Sequence, residues 1–123
     1  MSKVMLIDDD RVVIDLLATL LQMEGFEVIT NTGVKEIIDT IRNQNPDVIL
    51  MDVYLNASPN TDEPDGLNIL KAIRDASEFS ETKVIMTSGI NFQIDSEDLG
   101  ADAFLHKPYM PEELISIIKQ LLS

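Results

Sequence analysis

Four short apolar runs, each ending at polar residues, most constrain what this chain can fold into. The runs cover residues 4–7, 48–51, 84–86 and 103–105. Such runs are typical of buried strands in a parallel sheet, because both faces of that sheet are covered. In an open parallel sheet, ligands bind outside the carboxyl ends of the strands. We therefore expect the polar side chains that follow the runs to meet at one edge: Asp8, Asp9, Asp52, Ser88 and Lys107.

Helical patterns separate these runs. Apolar residues recur at helical spacing over residues 11–24 and 34–45, in a segment that begins at Gly66, and in a segment that begins at Pro111. A second strand is predicted over residues 26–30, and a short or distorted helix over residues 91–99. Strand and helix alternate with short links, which is typical of an α/β doubly wound sheet. The length of 123 residues fits one domain, and we expect residues 1–123 to form it.

The charge and the composition exclude several classes of protein. The chain has 22 acidic and 9 basic residues, and its formal net charge of -13 repels nucleic-acid backbones and anionic lipid surfaces. Cysteine is absent, so disulfides and thiolate sites are excluded. No apolar stretch approaches the roughly 18 residues of a membrane span, and no signal region precedes the first strand. We therefore expect a cytoplasmic protein that takes a divalent cation or a basic partner surface.

The polar residues form motifs with a recognisable order and spacing. They are Leu-Ile-Asp-Asp-Asp at 6–10, Val-Ile-Leu-Met-Asp at 48–52, Asp65-Gly66, Met-Thr-Ser-Gly at 86–89, Gly-Ala-Asp-Ala at 100–103 and His-Lys-Pro-Tyr at 106–109. Together they resemble the receiver (REC) domain of two-component response regulators of the chemotaxis-regulator type, over essentially the whole chain. The resemblance implies a flavodoxin-like sheet of five parallel strands in the order 2-1-3-4-5, with helices on both faces.

The resemblance also implies the chemistry of the site. Asp52 would accept a phosphoryl group from a phosphohistidine of a sensor histidine kinase or of a phosphotransfer protein. Carboxylates at one edge repel one another, and Mg²⁺ (or Mn²⁺) relieves this repulsion because it prefers oxygen ligands. By resemblance the metal ligands are Asp8, acting largely through water, Asp9, Asp52 and the backbone carbonyl of Tyr54. Lys107 and the metal would hold the transferring phosphoryl oxygens.

Two further residues match the switch positions of the family. Ser88 matches the switch hydroxyl, which would donate to a phosphoryl oxygen. Phe104, three residues before Lys107, matches the switch aromatic, although a core position explains it nearly as well. The bond after Lys107 is expected to be a cis proline bond. We interpret Asp10 as the cap of the first helix and His106 as a non-catalytic histidine.

The chain departs from the family pattern in two places. The link over residues 52–66 is about six residues longer than usual and contains an inserted loop at residues 56–63. We expect this loop, together with the ring of Tyr54, to shield the phosphoryl group and to select its donor. The segment over residues 88–100 is about three residues shorter than usual, so the fourth helix is expected to be truncated.

Other functions fit parts of the pattern. An aspartyl phosphohydrolase would be an enzyme on a similar sheet, but such enzymes generally need a second acid two residues after the nucleophile, where this chain has Tyr54. A constitutive scaffold that has lost phosphorylation is disfavoured because Asp52 and Lys107 are retained. Nucleotide or flavin binding is disfavoured because no glycine-rich loop follows the first strand.

The sequence leaves the output of the signal open. No output domain follows the last predicted helix, so we expect either a stand-alone regulator or the N-terminal part of a longer protein. The family is a signalling family rather than an enzyme family, although weak autophosphorylation from small donors and autodephosphorylation are compatible with it. Expected partners are the phosphoryl donor, a downstream protein or output domain, and a homodimer formed on phosphorylation, without direct nucleic-acid or membrane binding. The sequence names no cognate kinase, target or signal.

Overall fold

The computed structural model of the chain describes residues 2–31, 36–55 and 65–123. The strands are β1 (Lys3–Ile7), β2 (Glu27–Asn31), β3 (Val48–Asp52), β4 (Lys83–Ser88) and β5 (Ala103–His106). The helices are α1 (Arg11–Met23), α2 (Ile37–Gln44), α3 (Asp65–Asp75), α4 (Gln93–Asp98) and α5 (Pro111–Leu122). Among these helices, none has the length and hydrophobicity that a membrane crossing needs.

The predicted elements are confirmed, with ends that differ by one or two residues where the structure describes them. The predicted start of the second helix, at residue 34, lies outside the described residues. The fourth helix is short as expected, with 6 residues in α4. The sequence analysis did not predict the 3-10 helix Ser77–Phe79, which lies between α3 and β4.

All strand pairs of the sheet are parallel, and the strand order is β2-β1-β3-β4-β5. This arrangement confirms the predicted flavodoxin-like order 2-1-3-4-5. The register pairs Ile7 with Met51, Asp52 with Thr87, and Ser88 with His106. The carboxyl ends of β1, β3, β4 and β5 therefore lie side by side, as the sequence analysis expected.

Two separate cores cover the two faces of the sheet. Met51 and Met86 pack on one face in a cluster with residues of α2 and α3. Leu50, Ile85 and Leu105 pack on the other face in a cluster with residues of α1 and α5. Successive residues of a strand point to opposite faces, so this assignment extends to the polar residues at the strand ends.

Asp10 caps α1, as the sequence predicted. Its side chain accepts hydrogen bonds from the backbone N–H groups of Val12 (3.0 Å) and Val13 (3.3 Å). These donors have no partner within the helix, so a capping carboxylate stabilises the first turn. Asp10 therefore serves the helix rather than the cluster of acids that precedes it.

Arg74 braces the short α4 against the rest of the fold. Its Nε donates to the carbonyl of Gly100 (2.7 Å), and its guanidinium pairs with Asp102 (2.8 Å). The same carboxylate oxygen of Asp102 accepts the backbone N–H of Val84 (2.8 Å). The side chains of Arg74 and Asp102 thus join helix α3, strand β4 and the connection that follows α4.

Gly66 lets α3 pack directly against the end of β3. Its N–H donates to the carbonyl of Val53 at 2.7 Å. A Cβ atom added at Gly66 would lie 2.0 Å from the carbonyl oxygen of Asp52 and 2.9 Å from the Cα of Val53. No side chain fits this space unless the end of β3 moves.

We expect Gly66→Ala to lower the free energy of unfolding by about 1–3 kcal/mol, since overpacking against backbone forces a shift of the chain. Urea unfolding measures this change. Gly89→Ala is the matched control, because an added Cβ there meets no atom within 4 Å. Equal stability of the two variants would contradict the close approach of α3 to β3.

Candidate functional site

Three carboxylates meet at the carboxyl edge of the sheet. Asp8 follows β1 and Asp52 ends the neighbouring β3, and both side chains are buried, whereas Asp9 is exposed. One oxygen from each of the three residues lies within 4.8 Å of the others. The structure therefore brings together the three acids that the sequence analysis expected to meet.

Lys107 supplies the positive charge at this edge. Its ammonium group hydrogen-bonds Oδ2 of Asp52 and lies 3.5 Å from Oδ2 of Asp8. The peptide bond between Lys107 and Pro108 is cis, as predicted. The backbone N–H of Lys107 donates to the carbonyl of Ser88 (2.9 Å), which extends the pairing of β4 and β5 by one step.

The backbone orients both buried carboxylates. Oδ1 of Asp52 accepts the N–H of Tyr54 (3.0 Å), and Oδ1 of Asp8 accepts the N–H of Asp10 (2.9 Å). In each carboxylate one oxygen is thus held by the chain that follows it, while the other faces Lys107. This geometry fixes the direction in which each acid presents its second oxygen.

The electrostatics of the cluster are unusual for surface acids. Burial raises the pKa of Asp8 to about 6, and the neighbouring Asp52 and Asp9 add to this, against the lowering effects of the Asp10 N–H and of Lys107. Burial by itself would lower the pKa of Lys107, but the hydrogen bond and the charge of Asp52, together with Asp8, raise it. The lysine is therefore firmly protonated beside acids that repel one another.

Ser88 and Phe104 lie beside the cluster on the other face of the sheet. The hydroxyl oxygen of Ser88 accepts the N–H of Ile90 (3.1 Å). The ring of Phe104 packs edge-on against His106, with 4.9 Å between ring centroids, and contacts the core on the α2 and α3 face. The switch roles assigned to Ser88 and Phe104 stay predictions.

The sequence analysis did not identify Thr87 as a site residue. Thr87 is 1% exposed and pairs in register with Asp52. Its hydroxyl oxygen has no hydrogen-bond partner among the described residues. The sequence did contain a signal for this residue, because Thr87 is a polar residue at the end of an otherwise apolar strand. It was treated only as part of the Met-Thr-Ser-Gly motif, in which Ser88 received the functional role.

Tyr54 makes a ring contact that was not predicted from the sequence. Its ring packs edge-on against Phe92, with 5.6 Å between ring centroids and 70° between ring planes. The contact joins the segment after β3 to the segment that precedes α4. The inserted loop at residues 56–63, expected to work with Tyr54, lies outside the described residues.

An apolar groove of about 580 Å³ opens beside Lys107, between α1 and the start of α5. It is lined by Asp10, Val13, Leu16, Leu17, Lys107, Pro108, Tyr109 and Pro111. Burial raises the pKa of the Tyr109 phenol to about 12, so that group keeps its proton at neutral pH. Leu16 is 57% exposed, although it belongs to the apolar repeat of α1. The groove thus places exposed apolar surface next to the carboxylates.

The fold and the site define a class of protein in which a doubly wound parallel sheet carries an acidic pocket and a lysine at its carboxyl edge. The family model of the response regulator receiver domain matches residues 4–119. The chain belongs to this family. It spans about half the length of the curated relatives that it matches.

Two of these relatives are transcriptional regulators. The chain is 34% identical to the transcriptional regulatory protein CpxR of Escherichia coli (strain K12), over 99% of this chain and 50% of that protein. It is 36% identical to a CpxR homolog of Haemophilus influenzae, over 99% of this chain and 51% of that protein.

Solved structures of receiver domains have the same fold. The receiver domain of the Francisella response regulator 1452 is similar with a TM-score of 0.85 and 28% identity, over 98% of this chain and 96% of that one. The chemotaxis response regulator CheY4 of Vibrio cholerae is similar with a TM-score of 0.83 and 27% identity, over 98% of each chain. The predicted family is therefore confirmed.

We expect Asp8→Asn to stabilise the metal-free protein at neutral pH. A carboxyl whose pKa is raised to about 6 in the folded state costs stability when ionised, and this cost develops between about pH 4 and pH 6. The variant should therefore gain about 1–3 kcal/mol above pH 6 and match wild type near pH 4. Unfolding by urea in the presence of EDTA across this range measures the difference.

Asp15→Asn, on the exposed surface of α1, is the control for removing a negative charge. It should change stability little and without this pH dependence. A constant difference between Asp8→Asn and wild type from pH 4 to pH 8 would show that the folded protein does not raise the pKa of Asp8.

Proposed function

We propose that this chain is a phosphoacceptor. Asp52 accepts a phosphoryl group, and the ammonium of Lys107 binds the oxygens of that group. The receiver family is a signalling family, so the product is a signal rather than a released compound. As a receiver, the chain would form one domain over residues 1–123 and act in the cytoplasm. It would switch conformation to control a partner protein or an output domain.

One observation carries this proposal: a buried carboxylate, Asp52, is hydrogen-bonded to the ammonium of Lys107 within a group of three acids. Phosphoryl transfer needs an oriented nucleophile and positive charge near the transferring oxygens. Asp52 supplies the first, because Tyr54 holds its Oδ1. Lys107 supplies part of the second.

The transfer proceeds by exchange of one bond to phosphorus. A carboxylate oxygen of Asp52 forms a bond to phosphorus while the bond from phosphorus to the imidazole nitrogen of the donor breaks. The electron pair of that bond returns to the donor imidazole. With a small acyl phosphate as donor, the bond from phosphorus to the acyl oxygen breaks instead, and a carboxylate leaves. The product on this chain is an aspartyl phosphate in both cases.

The donor set suits Mg²⁺ or Mn²⁺. The candidate ligands are carboxylate oxygens of Asp8, Asp9 and Asp52 and, by family resemblance, the carbonyl of Tyr54, and hard divalent cations prefer oxygen. The ammonium of Lys107 already lies against two of these acids, which shows that the pocket accepts positive charge. When bound, the cation would neutralise charge on the transferring phosphoryl oxygens.

The groove between α1 and α5 supports a protein donor. A donor that brings a phosphohistidine to Asp52 must cover the rim of the site, and the groove beside Lys107 offers the apolar surface for this contact. A sensor histidine kinase or a phosphotransfer protein fits this requirement. The net charge of -13 favours a donor with basic residues around its histidine.

We predict that Mg²⁺ raises the melting temperature of the unphosphorylated protein. A ligand at about 100 times its dissociation constant adds roughly 2.7 kcal/mol of stability. Asp9→Asn should remove most of this gain. Asp10→Asn is the matched control, because asparagine caps a helix as well as aspartate does and the capping contacts can be kept. If the melting temperature of wild type did not change when Mg²⁺ was added, that result would argue against the metal site.

We predict that Asp52→Asn abolishes phosphorylation by a small acyl phosphate in the presence of Mg²⁺. Intact-mass measurement of wild type should show one added phosphoryl group, and peptide mapping should place it on Asp52. Lys107→Ala should still be phosphorylated in part, but the conformational change should be lost, since the ammonium that binds the phosphoryl oxygens is absent. Hydrogen exchange of β4 and α4 measures that change.

The same experiment separates the proposed function from its alternatives. Rapid turnover of the donor without a stable adduct would indicate a phosphohydrolase. No adduct under any condition would indicate a scaffold that has lost phosphorylation. Full phosphorylation of Asp52→Asn at another carboxylate would show that the nucleophile is misassigned.

A further inference from the structure

Thr87 is a buried polar group whose place in the site is unexplained. Its side chain is 1% exposed, yet its hydroxyl has no hydrogen-bond partner among the described residues. A buried hydroxyl without a partner costs free energy, and most such groups in folded proteins are paired. The resting arrangement of the site thus leaves one hydrogen-bonding group unused.

The position of Thr87 in the sheet determines to which face its side chain belongs. Strand β4 lies between β3 and β5, and Thr87 pairs in register with Asp52 on one side and with Leu105 on the other. Leu105 and Ile85 pack on the α1 and α5 face, so Thr87, two residues after Ile85, points to that face as well. Asp52 follows Leu50 by two residues and also belongs to this face.

Lys107 has to cross β4 to reach Asp52. Neighbouring strands lie about 4.8 Å apart, so β3 and β5 are separated by about 10 Å. The ammonium of Lys107 nevertheless hydrogen-bonds Oδ2 of Asp52. On the face that the lysine crosses, the residue of β4 in register with Asp52 is Thr87. The side chain of Thr87 therefore belongs to the strand and to the face that the lysine crosses.

We propose that Thr87 is a positioning residue for Asp52 during phosphoryl transfer. When the ammonium of Lys107 turns from Asp52 to the oxygens of the incoming phosphoryl group, Oδ2 of Asp52 loses its hydrogen-bond donor. The hydroxyl of Thr87 donates to the oxygen that the lysine leaves, and this contact keeps the carboxylate oriented. Ser88 is not placed to serve in this way, because its side chain belongs to the opposite face, on which Met86, two residues earlier, packs.

The hydroxyl of Thr87 is therefore expected to have opposite effects on the stability of the folded protein and on the rate of phosphorylation. In the resting protein the hydroxyl has no partner among the described residues, so replacing it with a methyl group of similar size should leave the melting temperature unchanged or raise it. During transfer the same replacement removes a hydrogen bond to a charged oxygen. The loss should slow phosphorylation about fivefold to tenfold, and tenfold in rate corresponds to about 1.4 kcal/mol.

The experiment compares wild type, Thr87→Val, Thr87→Ser and Ser96→Ala. Intact mass measures the rate of phosphorylation by a small acyl phosphate with Mg²⁺, and the melting temperature is measured in EDTA without donor. Ser96 is the matched control, because it is the other buried hydroxyl without a partner in the described part of the chain and it lies in α4. We expect a slow Thr87→Val with undiminished stability, and rates near wild type for Thr87→Ser and Ser96→Ala.

Three results would overturn the proposal. They are a wild-type rate for Thr87→Val, a rate for Thr87→Ser as slow as that of Thr87→Val, and a lower melting temperature of Thr87→Val, which would show that the hydroxyl already has a partner. Thr87→Ala and Thr87→Ser form a second pair that differs by the hydroxyl, and equal rates of phosphorylation for that pair would also overturn the proposal. The proposal rests on the proposed function, but the two fail differently: absence of a wild-type adduct on Asp52 refutes the function, whereas normal phosphorylation of Thr87→Val refutes only the role of Thr87.

Discussion

The ion pair between Lys107 and Asp52 is the interaction on which the functional edge of this protein depends. Three acids that meet within 4.8 Å repel one another, and the ammonium of Lys107 offsets that repulsion from two strands away. Burial makes the arrangement costly, since it raises the pKa of Asp8 to about 6. The ammonium of Lys107 therefore compensates part of the negative charge that burial makes costly.

The alternation of side chains along the strands divides this edge into two halves. Asp52, Thr87 and Lys107 belong to the face covered by α1 and α5, where the apolar groove opens. Ser88 and Phe104 belong to the face covered by α2 and α3. The carbonyl of Ser88 accepts the N–H of Lys107, so the backbone connects the two halves.

Close packing around the strand ends limits how that edge can move. Gly66 brings α3 against the carbonyl of Asp52. Arg74 and its partner Asp102 together tie α3 to β4 and to the connection after α4. The ring of Tyr54 packs on Phe92, just before α4. The segment that follows β3 and the segment that precedes the short α4 are thus in contact through these two rings.

The sequence by itself determined the strands, their order in the chain and the meeting of the acids, because apolar runs with polar ends have few other solutions in a parallel sheet. Residue patterns identified Asp8, Asp9, Asp52 and Lys107, and these residues do lie together. Only the tertiary structure decided which oxygen of each acid faces the lysine, and that Thr87 is buried in register with Asp52, its hydroxyl without a partner among the described residues. These features depend on the register between strands that are distant in sequence, and a shift of one residue would turn each side chain to the other face.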